Sequence, residues 1–401
     1  MRIDIHRVGM SVLWTCTLVL VPVVSHGALS DLFRSDKEVA TKFAVLHEDA
    51  QVFGLDFSPD GKQLAVTAGN KLQIWDWQQE KILHTITQPS TSAGLFSDPI
   101  RYAPDGRLVA VCYGRTAQNE YISVFDSATG GGVARIMDAG SFGSCNAIGF
   151  SADSKSLLVS ISRGASAGDN LTAYRVDTGQ RLWGLRTQPY PAPVAAFDRS
   201  YEWDWEPSPT QPNPKFGFVQ FATDTLAISP DGAFLAMGGS TTFGPNVQNT
   251  VQVLIIELSK RAIIRTISAY PDVTQVRNLA WSADSKRLAA TGSIIRGPQL
   301  RIFDARSGKQ VAEEHTDGSI SLVRFTPDGR YLIEAVAFER DVPEVIRIWD
   351  GEHKALLQEI RVSANQRLEF LAVSKDSHYF AIGEWRKRLL ARDQIEVWKL
   401  K

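Results

Sequence analysis

Seven aspartates recur along the chain in turn-like settings: Asp60, Asp105, Asp153, Asp231, Asp284, Asp328 and Asp376. A carboxylate repeated in this way suits either metal binding or a structural task. Each follows a strand of its own, and packed sheets stand about 10 Å apart, so seven such groups cannot converge on one ion. The expected task is to stabilise tight turns, where an Asp side chain accepts nearby backbone N–H bonds and a following Gly tolerates positive φ. Gly164-Ala165-Ser166-Ala167-Gly168 has the GxSxG spacing of a nucleophilic serine. That chemistry needs a strand-to-helix turn, a histidine and an oxyanion hole, whereas this stretch is a small-residue loop between strands. No GxxxxGK, HExxH or calcium-loop spacing occurs. Cys112 and Cys145 lack any CxxC or histidine spacing for zinc. The sequence therefore leads us to expect no catalytic residue, no metal centre and no cofactor.

Binding is better served. The segment from about 187 to 222 holds Tyr201, Trp203, Trp205 and Phe216 among Pro207, Pro209, Pro212 and Pro214 and the acids Asp198, Glu202, Asp204 and Glu206. Phe243, Trp385 and Arg386 stand in other long connections, the last beside Lys387, Arg388 and Arg392. Trp and Tyr dominate interface energetics, and loops on a rigid scaffold commonly carry binding. Two plainer readings stand beside this one: the rings can fold back and bury themselves, and the basic cluster can be a solvated loop tip. Asn170-Leu171-Thr172 is a glycosylation acceptor in any eukaryotic secretory pathway.

The composition narrows the partner. With 43 basic and 44 acidic residues the formal charge is -1, which offers nucleic acid no attraction. The expected partner is another protein or peptide, with a glycan as the second class. At the amino terminus Arg2 and Arg7 precede an apolar run from Val8 to Val24 that ends in Ser25-His26-Gly27-Ala28. That layout reads as a signal peptide over 1–27, cut near 25–28. An uncleaved anchor is the alternative, although the run is short for a span and contains Pro22. Leu13-Trp14-Thr15-Cys16 lies in mid-run, not at its end as a lipidation box requires. The mature chain is expected to be periplasmic or secreted, with no stable membrane span after cleavage. Cys112 and Cys145 then read as two buried small hydrophobes, with one disulfide as the alternative in an oxidising compartment.

The elements behind these residues form a repeat. Around the aspartates stand Phe57-Ser-Pro-Asp60-Gly, Tyr102-Ala-Pro-Asp105-Gly, Phe150-Ser-Ala-Asp153-Ser, Ile228-Ser-Pro-Asp231-Gly, Trp281-Ser-Ala-Asp284-Ser, Phe325-Thr-Pro-Asp328-Gly and Val373-Ser-Lys-Asp376-Ser. The spacings are 45, 48, 78, 53, 44 and 48, close to one four-stranded unit each apart from the third gap. Apolar residues five and three places before each Asp give a period of two, and an apolar residue four places after it begins a return strand. Seven places after it stands a small residue: Thr67, Cys112, Ser160, Gly238, Thr291, Ala335 or Gly383. A third strand ends in an aromatic or aliphatic residue, as at Trp75-Asp76 and Trp349-Asp350, and a fourth short strand follows in most units.

These residues resemble the WD-repeat family, and the resemblance covers the mature chain. It implies an all-β fold over 38–401, a seven-bladed β-propeller of four-stranded antiparallel blades, in an exported protein of bacterial type. The family places a histidine in a polar bridge where His47 and His315 stand, ten residues before Phe57 and Phe325. The bridges are incomplete: Asn70 stands near the Asp position and Ala335 replaces a hydroxyl residue. The last unit stops at its third strand, so the early strand Lys42 to His47 is expected to close the ring, which removes exposed sheet edges. The 187–222 segment and the loops 115–121, 240–250, 293–299, 336–345 and 384–393 then share one rim. The resemblance implies an interaction scaffold. Leu171 to Trp183 also resembles, once, the repeat of quinone-cofactor propellers, which keeps an enzymatic or cofactor-binding alternative.

Overall fold

Apolar side chains at a period of two, broken every few residues by Asp, Gly and Ser, favour short extended segments joined by tight turns. The structure, a computed structural model, describes residues 38–87, 96–113, 121–136, 143–163, 170–185, 220–242, 250–270, 273–294, 299–316, 318–337, 344–362, 366–386 and 393–401. The expected leader at 1–27 lies outside them. Among the described residues every regular element is a strand, and 28 strands form seven four-stranded antiparallel sheets.

Strand β1 (Ala40–Glu48) stands first. Blade 1 follows as β2 (Val52–Phe57), β3 (Gln63–Ala68), β4 (Lys71–Asp76) and β5 (Lys81–Thr87). Blade 2 is β6 (Phe96–Tyr102), β7 (Leu108–Tyr113), β8 (Tyr121–Asp126) and β9 (Gly132–Ile136). Blade 3 is β10 (Gly143–Phe150), β11 (Ser156–Arg163), β12 (Leu171–Arg175) and β13 (Arg181–Leu185). Blade 4 is β14 (Gln220–Ile228), β15 (Phe234–Thr242), β16 (Thr250–Glu257) and β17 (Ala262–Tyr270). Blade 5 is β18 (Val273–Trp281), β19 (Arg287–Ile294), β20 (Leu300–Asp304) and β21 (Gln310–Glu314). Blade 6 is β22 (Ser319–Phe325), β23 (Tyr331–Ala337), β24 (Val345–Asp350) and β25 (Leu356–Arg361). Blade 7 is β26 (Gln366–Val373), β27 (Tyr379–Arg386) and β28 (Asp393–Leu400), completed by β1 as its outer strand.

That last pairing closes the ring. β1 lies antiparallel to β28, from Ala40 opposite Leu400 to Glu48 opposite Asp393. The Gln358 side chain of β25 fastens it further, accepting the N–H groups of Val39 and Ala40 at 2.8 Å and donating to the Ala40 carbonyl at 3.0 Å. Asp393 receives the Val52 N–H at 3.0 Å, which ties the closing sheet to blade 1.

The core lies between blades. Leu72, Ile74 and Ala65 of blade 1 pack with Ile100, Val109, Val111 and Phe125 of blade 2, and each neighbouring pair repeats the arrangement. Burial of such a side chain contributes roughly 1.5–3 kcal/mol. The column of small residues sits where the blades crowd. A Cβ on Gly238 would stand 2.5 Å from Val276 Cγ1 of the next blade, so nothing larger than glycine fits there. In blade 2 the column holds Cys112, which is disulfide-bonded to Cys145 of blade 3 with the Cα atoms 6.4 Å apart. The cysteines are thus a covalent link between blades and not the two separate thiols expected, because the close approach that favours small side chains also brings the sulfurs together.

Candidate functional site

The two faces of the ring differ in their connections. Strands one and two of each blade, and strands three and four of blades 1 to 6, are joined by four or five residues on one face. From the opposite face leave 88–95, 114–120, 137–142, 164–170, 186–219, 243–249, 338–344 and 387–392. Tyr201, Trp203, Trp205, Phe216 and Phe243 belong to these connections and lie outside the described residues, as do Ser166, Lys387, Arg388 and Arg392. Trp385 and Arg386 end β27, paired with Arg367 and Gln366, and their side chains lie outside the description. Asn170 is buried at 9% exposure, so the folded ring covers the side chain that the acceptor reading needs at the surface.

On the short-turn face the aspartates are occupied locally. Asp60, Asp153, Asp231, Asp284, Asp328 and Asp376 each accept a hydroxyl two residues back, Ser58, Ser151, Ser229, Ser282, Thr326 and Ser374, at 2.5–2.7 Å. Each also accepts the N–H two residues on. Asp105 follows Ala103 and instead takes the Arg107 N–H at 3.1 Å and its Nε at 2.9 Å. These bonds hold the carboxyls of Asp60, Asp105, Asp153, Asp284, Asp328 and Asp376 below the usual range. Three turns carry Ser where the others carry Gly, at φ of 59–62°. Each of those hydroxyls accepts the N–H of the preceding blade's turn aspartate: Ser154 from Asp105, Ser285 from Asp231 and Ser377 from Asp328, at 2.9–3.2 Å.

The polar bridges differ from the expected ones. His47 and His315 are exposed, and the glutamate beside each points inward instead. In β1 the residues Ala44, Leu46 and Glu48 share the buried face, which turns His47 outward. Glu48 accepts Trp75 Nε1 at 3.0 Å, and the Gln73 amide, in the orientation that satisfies both its ends, donates to the same carboxylate. Burial pushes the Glu48 carboxyl up to about 7. In blade 6 Glu334 accepts Trp349 Nε1 at 3.1 Å, beside Ala335. The strand-three tryptophans keep an acceptor, but a carboxylate supplies it.

The inner strands of all seven blades line an axial cavity of about 440 Å³. Four places before each turn aspartate stand Asp56, Arg101, Gly149, Ala227, Ala280, Arg324 and Ala372; all of these but Gly149 line the cavity, where Arg277 and Glu369 add two further charged groups. Arg101 and Arg324 each donate NH1 to the carbonyl of the preceding residue at 2.7 Å, and Arg324 also donates to Asn278. Asp56 accepts the Tyr102 N–H at 2.8 Å. Burial pushes Asp56 above the carboxylate range against the pull of Arg101, while burial and then Arg101 lower Arg324 to about 10. The hairpin from Leu171 to Trp183 packs as ordinary blade: Trp183 joins the core between blades 3 and 4, with the Arg261 guanidinium 5.5 Å from its ring centroid.

This arrangement defines a closed seven-bladed β-propeller. Residues 41–76 match the family model described as "WD domain, G-beta repeat". The matched stretch runs from β1 through β4, so the sequence repeat straddles two blades and contains the closing strand. No curated protein matches. Among solved structures, a chain of "Crystal Structure of Mitotic Checkpoint Complex" superposes with a TM-score of 0.65 at 14% identity, covering 91% of this chain and 96% of that one. At that identity the likeness speaks for the fold. Propellers with WD repeats commonly serve as scaffolds for other proteins.

Proposed function

We propose that the chain is a non-catalytic protein-interaction scaffold of an extracytoplasmic compartment, and that it binds through the face from which the long connections leave. The observation that carries this reading is the asymmetry of the ring. One face is closed by seven short, internally satisfied aspartate turns, while the other emits every long connection, including 186–219 with Tyr201, Trp203 and Trp205. A rigid ring that holds variable aromatic loops on one side suits recognition of a protein or peptide. Two features support the compartment: the basic, apolar and small-residue layout of 1–27, and the Cys112–Cys145 bond, a type of link rare in reducing cytosol.

Site-specific photocrosslinking in the native cell tests the face. Probes at positions 203, 243 and 385 should capture the same protein, and probes at Lys62, Lys155 and Lys286 on the turn face should not. Capture from the turn face alone would overturn the assignment. Replacing Trp203 and Trp205 by Ala should abolish recovery of that partner, whereas unchanged recovery removes the aromatic segment from the interface. Cell fractionation with amino-terminal sequencing checks the compartment: a mature chain starting near residues 26–29 is expected, and an intact Met1 in the cytosol contradicts it.

A further inference from the structure

Three side chains meet at the boundary of blades 5 and 6: Glu314 at the end of β21, Glu334 in β23, and His353 in the turn from β24 to β25. Their nearest ligand atoms all lie within 4.8 Å of one another. His353 Nε2 is 3.1 Å from Glu314 Oε2 and 3.6 Å from Glu334 Oε1. Glu334 is 0% exposed, and its Oε1 has no hydrogen-bond partner. An imidazole nitrogen carries one proton, which Glu314 takes at the shorter distance. Glu334 Oε1 then needs a proton of its own or a cation, and an ion at the centre serves both carboxylates at once.

We propose that Glu314 Oε2, Glu334 Oε1 and His353 Nε2 bind a divalent first-row transition ion, zinc by preference, which pins blade 5 to blade 6. Bonds of about 2.0–2.1 Å in a tetrahedron place ligand atoms about 3.3 Å apart, close to the two separations observed. One nitrogen and two carboxylate oxygens suit zinc, whereas calcium takes six to eight oxygens. The oxygens turned away from the centre are already engaged: Arg347 NH1 donates to Glu314 Oε1 at 2.7 Å and Trp349 Nε1 to Glu334 Oε2 at 3.1 Å. Such outer partners orient ligands and leave the inner lone pairs for the ion. Arg347 is itself held by Glu359 at 3.3 Å. The turn that carries His353 is fixed by Gly351 N–H on the Arg330 carbonyl at 2.7 Å, His353 N–H on the Asp350 carbonyl at 2.8 Å, and Arg287 on the Gly351 carbonyl at 3.0 Å. Two carboxylates balance the dication, and water completes the tetrahedron.

The test uses the full chain without an affinity tag, stripped with a chelator, reloaded with excess zinc and dialysed. Bound zinc is then counted by elemental analysis, and cobalt(II) is added to a second stripped sample as a visible probe of a four-coordinate site. One equivalent of zinc per chain, a raised Tm and intense cobalt absorption are expected. His353→Gln and Glu334→Gln should lose all three while keeping the far-ultraviolet circular dichroism, and His315→Gln, in an exposed pair nearby, should lose none. Trp349→Phe should weaken zinc binding about 10–100-fold by freeing Glu334 Oε2. Absence of stoichiometric metal in the parent chain, or its retention in both ligand variants, overturns the proposal. Should the variants fail to fold, X-ray absorption of the zinc-loaded parent decides: a nitrogen and oxygen shell with one imidazole supports the site, and a sulfur shell rejects it.

Discussion

Ser377 accepts the turn N–H of Asp328 while its own backbone sits at φ 62°, a region that non-glycine residues rarely adopt. The hydroxyl offsets that strain by joining blades 6 and 7. Ser377→Ala keeps the backbone demand and deletes the bond, so it should destabilise the ring by about 1 kcal/mol in urea unfolding. An unchanged midpoint would assign the latch no energetic role. Glu48 makes a second residue-scale prediction. Its carboxyl is raised from 4.5 to about 7 by burial, so the folded chain keeps a proton that the unfolded chain has already released. Stability contributed by this group is complete below about pH 4.5 and is lost as pH rises to about 7. Glu48→Gln still accepts from Trp75 and has no such dependence. Its stability relative to the parent should rise across that window and level off above it, and parallel pH curves for the two chains would refute the assignment.

At the scale of elements, β1 has the largest consequence. It supplies the outer strand of blade 7, bonds Gln358 of blade 6, and lies at the start of the matched WD repeat. Without it β28 would become an open edge and the ring would be joined by side-chain packing alone. Deleting residues 38–47 should lower the Tm of the whole ring and broaden its transition, and a deletion that melts like the parent would show that the ring does not depend on this strand. Much of this element was legible. The last unit lacks a fourth strand and an unclaimed strand precedes the first, so edge pairing leaves one solution. The inward face of β1 was not legible. Its pairing shifts register between Lys42 and Ala44, and the buried face ends on Glu48 instead of His47. A one-place change of that kind exchanges every side chain between faces, and the residue types alone do not reveal it.

For the whole molecule, the Cys112–Cys145 bond joins blades 2 and 3 across a separation of 33 residues. Closing a loop of that length removes unfolded-state entropy equivalent to about 3–4 kcal/mol. Cys112→Ala with Cys145→Ala should therefore unfold at lower urea, and thiol titration of the denatured, unreduced parent should find neither of these two cysteines free. Two reactive thiols would contradict the link. The axial cavity also belongs to this scale, since Asp56, Arg101 and Arg324 come from blades 1, 2 and 6 and face one space only when the ring is complete.

Taken alone, the sequence determined the repeat, its count of seven, the strand period, the aspartate turns and the partner that closes the last blade. All of these are local or nearest-neighbour properties, written in columns that recur about every 45 residues. Only the tertiary structure decided which residues meet between blades: Glu48 with Trp75, Cys112 with Cys145, and Glu314 with Glu334 and His353. Those groups stand 19 to 39 residues apart in the sequence and come from different strands and turns. What brings them together is the packing of one sheet face on the next, which no spacing along the chain encodes.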